Sequence, residues 1–390
     1  MLPPIFNNGI EVIRTLKQAQ FDAFFVGGCV RDYHLKRQTK DIDIATSATP
    51  ADVQQLFNRT VQISEDHETV LIILNDESFE VTTFRSNNNN QQRSIEEDLT
   101  LRDFTINALA MDEKGHVIDI ISGTQDLNEK VIRLVNNDEQ RLLEDPLRII
   151  RALRFQGELG FIIDRETLEQ IKQLKTNLQD VAVERLLTEC ERLFASPFYQ
   201  QAITTLKETG VHTHLPIFHE NPSLINPLLQ LNKRLASFDE LIAYLSINND
   251  QVSITDWCRA WKCSKETKAR SKEIVWAIDF FKENGLDEWL IYSLRNELYD
   301  SFIRVVSALE IEQSITRNDV ISISDRLPIQ SRQQLKIDGS DLIQLFPTYR
   351  RGRWIEESLR TLEKGVLYGK ITNEHNTLKE WILCHPPVND

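Results

Sequence analysis

The chain has 390 residues, with 41% hydrophobic and 27% charged side chains. That is ordinary for a folded protein, too apolar for a disordered one, and long enough for about two to three domains. Fifty-nine acidic against forty-five basic side chains leave a formal charge of −14, the wrong sign for a protein that coats nucleic acid non-specifically, so any such contact must be local. No apolar run approaches the roughly 20 residues of a membrane span, and residues 1–13 lack a signal-peptide pattern. The five cysteines are odd in number and form no C-x-x-C, as expected of a reduced, cytoplasmic chain without a disulfide framework or structural zinc.

In chain order, residues 24–26 form a short apolar run stopped by Gly27-Gly28, and 41–44 alternates polar and apolar. The β-rich runs 69–74 and 79–84 flank the turn-like 75–78, which predicts a hairpin, and 117–121 is a further strand. Residues 87–92, Asn-Asn-Asn-Asn-Gln-Gln, are a polar low-complexity connector. From residue 126 onward apolar residues recur at spacings of three and four, as at 142–155, 165–174 and 183–194, and the rest reads as helix. The expected fold is α+β: a small mixed-sheet head (1–125), then an elongated all-α remainder divided at 126–195 and 196–390.

Asp41-Ile42-Asp43-Ile44 carries the sharpest chemistry. In a strand both aspartates point one way, with Cα atoms about 6.6 Å apart. Two such carboxylates can hold a pair of Mg²⁺ ions about 3.5–4 Å apart, as in-line phosphoryl transfer requires. The same pattern is also that of a strand with a wet acidic face. Upstream, Gly27-Gly28-Cys29-Val30-Arg31-Asp32 lets the backbone approach an anion, with Arg31 placed to clamp a phosphate. Read plainly, it is a strand-to-helix turn with an Arg31–Asp32 surface pair. It is neither a P-loop nor a dinucleotide fingerprint. Glu80, on the next β-rich run, is either a third carboxylate of the site or an edge-strand charge.

Gly27-Gly28-x-Val30-Arg31-Asp32 followed by Asp41-x-Asp43 resembles the nucleotidyltransferase superfamily of DNA polymerase beta. His67-x-Thr69-Val70, Val81-Thr82-Thr83-Phe84-Arg85, Arg102-Asp103-Phe104-Thr105-Ile106-Asn107-Ala108 and Glu144-Asp145-Pro146-Leu147-Arg148 through Phe155 narrow the resemblance to the bacterial class II tRNA nucleotidyltransferases, the CCA-adding enzymes. It covers roughly residues 20–195 and implies a catalytic head, a nucleotide-selecting neck at 126–195, and a body and tail at 196–390 that bind tRNA. It also implies that Arg102 and Asp103 contact the triphosphate and the ribose hydroxyl. Leu101 stands where many members have arginine, and Glu68 where they have glycine.

A helix over 144–155 sets Asp145, Arg148, Arg151 and Arg154 three residues apart along a slowly winding stripe. Ionised Asp only accepts hydrogen bonds and Arg only donates them. Cytosine and adenine each present an amino donor beside a ring-nitrogen acceptor, complementary to an Asp–Arg pair, whereas uracil and guanine oppose both side chains. By resemblance, Asp145 and Arg148 read the base while Arg151 and Arg154 help hold the nucleotide. The alternative makes Asp145 a helix N-cap ahead of Pro146 and the arginines a solvated face.

Between Arg85 and Ser94 lie only eight residues, 86–93. CCA-adding relatives carry a longer loop there, taken as the lever that re-aims the Asp–Arg pair from CTP to ATP, and its shortening marks the CC-adding subgroup. The expected activity is therefore CTP addition to tRNA with two Mg²⁺ ions, terminal A addition being left to a partner enzyme. The alternatives are full CCA addition despite the short loop, a bacterial poly(A) polymerase, and a non-catalytic RNA-binding relative. For tRNA contact the candidates are Lys262, Lys265, Lys268 (or Arg270) and Lys272, the cluster Arg350-Arg351-Gly352-Arg353-Trp354, and Arg185 near the nucleotide site. Each basic cluster also reads as a solvated face. His212-x-His214-x4-His219 has metal-like spacing, with no cysteine nearby to support it.

Overall fold

A computed structural model describes residues 2–39, 41–64, 68–86, 93–249 and 251–387. They fall into two compact units, 1–225 and 226–390. The first opens with helix α1 (Asn7–Gln18), strand β1 (Ala23–Val26), α2 (Gly28–His34), β2 (Asp43–Thr46) and α3 (Pro50–Leu56). Strands β3 (Thr60–Ser64), β4 (Thr69–Leu74) and β5 (Glu77–Thr83), helix α4 (Ile95–Thr100), and the short strands β6 (Ala110–Met111) and β7 (Val117–Ile118) complete a seven-stranded sheet of order β3-β4-β5-β2-β1-β6-β7. The sheet is mixed: β2 runs parallel to β5, and the other neighbours are antiparallel.

The β4–β5 hairpin forms as expected, with a tighter turn. Asn75 and Asp76 both adopt positive φ (50° and 61°), the two-residue geometry that matches strand twist. Strand β2 starts two residues later than the alternation predicts. β1 pairs Phe25 with Ile44 and ends at the Gly27 turn, so Asp41 and Ile42 have no antiparallel neighbour left to pair with. The expected strand at 117–121 is only two residues long; beyond it, Asp119 turns the chain by accepting from the N–H groups of Gly123 and Thr124 at 2.9 and 2.8 Å. Beneath α4, the apolar residues Val26, Ala45, Phe84, Ile95, Leu99 and Ala110 form a buried cluster that fixes α4 against the sheet.

The rest of this unit is helical: α5 (Gly123–Glu129), α6 (Gln140–Glu144), α7 (Leu147–Leu159), α8 (Arg165–Leu174), α9 (Val183–Phe194) and α10 (Tyr199–Glu208), with one small parallel pair, Val131–Ile132 beside Ile162–Ile163. The helix expected across 142–155 is broken. Pro146 has no N–H to give α6, and the residue before a proline is pushed out of helical geometry; Asp145 accordingly lies extended at φ −144°, ψ 92°. The second unit is all helix: α11 (Ile225–Leu229), α12 (Phe238–Asn248), α13 (Ile254–Ala260), α14 (Lys265–Asn284), α15 (Glu288–Ser293), α16 (Tyr299–Ala308), α17 (Arg317–Ser324), α18 (Gly339–Leu345), α19 (Arg353–Leu367) and α20 (His375–Cys384). No described helix is long and apolar enough to cross a membrane.

Candidate active site

The site begins where β1 stops. Gly27 has φ +70°, and a Cβ there would sit 3.2 Å from Arg102 Nη1 and 3.9 Å from Asp43 Oδ2. Glycine is therefore required both for the turn and for the close approach of those two groups. In the parallel β2–β5 pairing, Asp43 stands opposite Glu80, so the two carboxylates share one face of the sheet. Asp41 lies outside the strand, two residues earlier and exposed.

Burial, reinforced by the charges of Glu80 and Asp41, pushes the Asp43 carboxyl up to about 6, against the pull of Arg102 and Arg31. Beneath it the Cys29 thiol is pushed up to about 12 by burial and by Asp43, and stays neutral. Among the described residues, no three His, Cys, Asp or Glu side chains form a ready-made cage for an ion. The mutual repulsion of Asp41, Asp43 and Glu80 is nevertheless what a divalent cation would relieve, and oxygen donors are the ligands that Mg²⁺ prefers.

This gives a stability prediction. Asp43 holds its proton to higher pH in the folded protein than its ordinary value of 3.8. The folded state thus binds more protons than the unfolded one between those values, and this residue's contribution to stability falls as pH rises from about 4 to about 6. In metal-free buffer Asp43→Asn is expected to be more stable than the parent by about 2 kcal/mol at pH 7, and no more stable at pH 4. Thermal unfolding at the two pH values checks it.

Arg102 is held by Asp98 of α4 through Nε at 2.8 Å and Nη2 at 2.7 Å, which leaves Nη1 toward Gly27. Asp103 is buried. Burial would raise its carboxyl, but the charge and hydrogen bonds of Arg151, with the Phe104 N–H and Asn107, hold it well below the usual carboxylate range. Arg151 donates to Asp103 Oδ2 from Nε at 2.9 Å and Nη2 at 2.5 Å.

Three expectations change here. Asp145 is neither on the helix nor its cap: Pro146 takes the N-cap place, without a side-chain capping bond, and the Asp145 carboxylate receives Arg185 Nη2 at 2.9 Å from α9. Arg148 does not pair with Asp145; it donates to the Arg141 carbonyl at 2.9 Å and lies 3.6 Å from Glu144. Arg31 and Arg154 are buried, which removes the plain readings of a surface pair and a solvated face. Arg31, 7% exposed, spends Nε on Asp32 at 3.0 Å and Nη1 on Asn107 at 2.6 Å. Arg154, 2% exposed, is bound by Glu189 and by Glu158 at 2.8 Å. The reason is Phe155, whose ring carries the guanidiniums of Arg154, Arg31 and Arg151 at 4.0, 5.2 and 5.4 Å and draws the glycine turn, α7 and its arginines together.

Glu189 and Asp98 are thus parts of the site outside the motifs, and Asn107 and Phe155 are motif residues to which the sequence assigned no role. The one available signal was Glu189 itself, a charged residue standing with Leu186, Cys190 and Leu193 on the buried stripe of a strongly amphipathic helix. Glu68, at φ +49°, binds Arg93, so a charged residue here does the work of tying one end of the connector. His67 and residues 87–92 lie outside the described residues.

In the second unit, Lys262, Lys265 and Lys272 are exposed and Lys268 is half-buried on or just before α14, while Arg270 is consumed by Asp239 at 3.0 Å and Glu297 at 3.2 Å. Arg350, Arg351 and Arg353 are exposed, with Arg353 3.5 Å from Glu357. Trp354 beside them is not a stacking platform. It is core, its Nε1 donating to the Arg350 carbonyl at 2.6 Å and its ring packed edge-on against Phe346 and Tyr349. In the first unit, His212 is buried with Nδ1 3.2 Å from the Leu206 carbonyl, and His214 meets Gln179; neither belongs to a metal cluster among the described residues.

Known proteins resemble the chain along its whole length. The family model of the poly A polymerase head domain matches residues 23–133, that of a probable RNA- and SrmB-binding site of polymerase A matches 160–221, and that of a putative tRNA nucleotidyltransferase domain 2 matches 230–382. The CCA-adding enzyme of Oceanobacillus iheyensis is 37% identical over 99% of each chain, and that of Bacillus subtilis is 36% identical over 97% of this chain and 98% of the other. The crystal structure of the Bacillus stearothermophilus CCA-adding enzyme in complex with CTP matches with a TM-score of 0.89 at 32% identity, covering 98% of each chain. Identity at this level over the full length, with the glycine turn, the acid strand and the Glu144-Asp145-Pro146-Leu147-Arg148 segment in place, makes the chain a nucleotidyltransferase of the bacterial class II CCA-adding enzyme family.

Proposed function

We propose that this enzyme adds cytidylate to the 3′ end of tRNA from CTP, without a template, and stops at CC, leaving the last A to a separate A-adding enzyme. The observation that carries the stop is the eight-residue connector, 86–93. Its far end is tied down by Arg93 to Glu68 and, at 3.4 Å, to the Phe84 carbonyl. One Asp–Arg pair has to meet a small pyrimidine and then a larger purine, and so short a stem has little reach with which to re-aim it. Full CCA addition is the second reading, favoured by the names of the relatives that match along the whole chain.

On this reading the head (1–125) serves the phosphates, the neck (126–195) the base, and residues 196–390 the tRNA. Asp41 and Asp43, with Glu80 beside them, would hold two Mg²⁺ ions, which supply activation of the RNA hydroxyl and neutralisation of the pyrophosphate. Gly27 and Gly28 leave room for the triphosphate, Arg102 faces it, and Asp103 accepts from the ribose hydroxyl. Asp145 accepts the base's amino proton in place of Arg185, and Arg148 donates to the ring nitrogen. Arg31, Arg151 and Arg154 act through others: they position the turn, Asp103 and α7. Arg185 belongs to this neck rather than to the tRNA grip, which falls to Lys262, Lys265, Lys268, Arg350, Arg351 and Arg353.

A tRNA lacking its 3′ end, incubated with CTP, with ATP or with both and read at single-nucleotide resolution, tests the reading. CTP alone should add two residues, and adding ATP should add none. A third residue with both nucleotides establishes the full CCA enzyme. Long A tails on generic RNA would indicate a poly(A) polymerase, and tRNA binding without incorporation a non-catalytic relative.

A further inference from the structure

Arg85 has no part in the chemistry above, yet its setting is unusual. Its backbone is fixed where β5 leaves the sheet: the Phe84 N–H donates to the Thr46 carbonyl at 2.7 Å, and its own N–H donates to Asp98 Oδ1 at 3.0 Å. Its guanidinium has no carboxylate partner among the described residues, only a long hydrogen bond from Nη1 to the Leu101 carbonyl at 3.5 Å. The nearby acids are already taken, Asp98 by both prongs of Arg102 and Asp103 by Arg151. The cations that bear on Arg85 are Arg102, which faces the glycine turn, and Arg148 at the start of α7. Burial lowers the guanidinium's pKa and those two like charges push the same way, while the charges of Asp98 and Asp103 push it back up. Even so, the side chain keeps exposed surface. A partly desolvated guanidinium beside two other arginines, with no carboxylate bonded to it among the described residues and its nearest acids bonded elsewhere, gains from an anion that arrives.

We propose that Arg85 is a further binding residue of the nucleotide site, donating to phosphate oxygens of the incoming nucleoside triphosphate between the positions of Arg102 and Arg148. This rests on the reading of the site given above. The test measures binding of CTP and of inorganic tripolyphosphate to the full chain in Mg²⁺ buffer without tRNA, and of tRNA separately, for the parent, Arg85→Gln and Arg85→Lys.

Losing one charge-assisted contact should weaken both CTP and tripolyphosphate by about tenfold in Arg85→Gln, with partial recovery in Arg85→Lys and tRNA affinity within about twofold of the parent. Unchanged CTP and tripolyphosphate affinity overturns the proposal. So does a loss of tRNA affinity with CTP binding intact, which would place Arg85 on the RNA. Should Arg85→Gln fail to fold, Arg85→Lys decides, because an ammonium lacks the two-pronged donor and tripolyphosphate binding must still weaken. A parent that binds neither CTP nor tripolyphosphate would instead bring down the site reading itself, and the proposal with it.

Discussion

Asp43→Ala is expected to bind tRNA like the parent and to lose CTP incorporation by about 10³-fold or more, the size of several kcal/mol of lost charge stabilisation. Asp43 is the one acid fixed in register against Glu80, in contact range of the Gly27 turn, and close enough to Arg102 for the guanidinium to favour its charged form. Asp41 is more exposed and lies outside the ladder, so Asp43 anchors the carboxylate group. The same substitution removes a buried, repelled charge, so it should not lower the melting temperature at neutral pH. Loss of activity without loss of stability or of tRNA affinity is the signature; an Asp43→Ala enzyme within tenfold of the parent would sink the assignment.

Glu189→Ala should produce the largest loss of stability, about 3–5 kcal/mol, equivalent to a melting point lower by roughly 6–20 °C. Glu189 is buried on α9 and binds Arg154 through Nε and Arg151 at 3.3 Å. Without it, the acids left bonded among the described residues are Glu158 for Arg154 and Asp103 for Arg151. Removing one member of a buried ionic group strands the others in a low-dielectric interior, a cost far above that of an exposed pair. Differential scanning calorimetry measures it directly, and a shift under about 2 °C would show that Glu158 alone satisfies Arg154.

The parts legible in the sequence share one property: each was encoded within a few consecutive residues. The glycine turn and the β4–β5 hairpin follow from local turn chemistry, whereas the shared face of Asp43 and Glu80, left open in the sequence, is decided by the parallel β2–β5 pairing. Pro146 also announced the break before α7 through its effect on Asp145, and the three-residue spacing from Asp145 to Arg154 masked that signal. Periodicity gives the angle of a side chain around its helix and says nothing of what lies across from it. That is why the arginine stripe could also be read as a solvated face when Phe155 and Glu189 hold Arg154 inside, and why Trp354 was grouped with an exposed arginine cluster when Phe346 and Tyr349 enclose it. The partners of Asp103 and Asp145 come from 48 and 40 residues further along the chain, a distance no local pattern spans.

The interruption ahead of α7 places Asp145 and Arg148 on different kinds of backbone. Arg148 rides on the helix, anchored by the carbonyl of Arg141 at 2.9 Å, whereas Asp145 sits on an extended link and is held from α9 by Arg185 at 2.9 Å. On the proposed reading, a base that takes the acid must first displace a guanidinium borne by another helix. Admission there is an exchange of one donor for another, not the filling of an open slot.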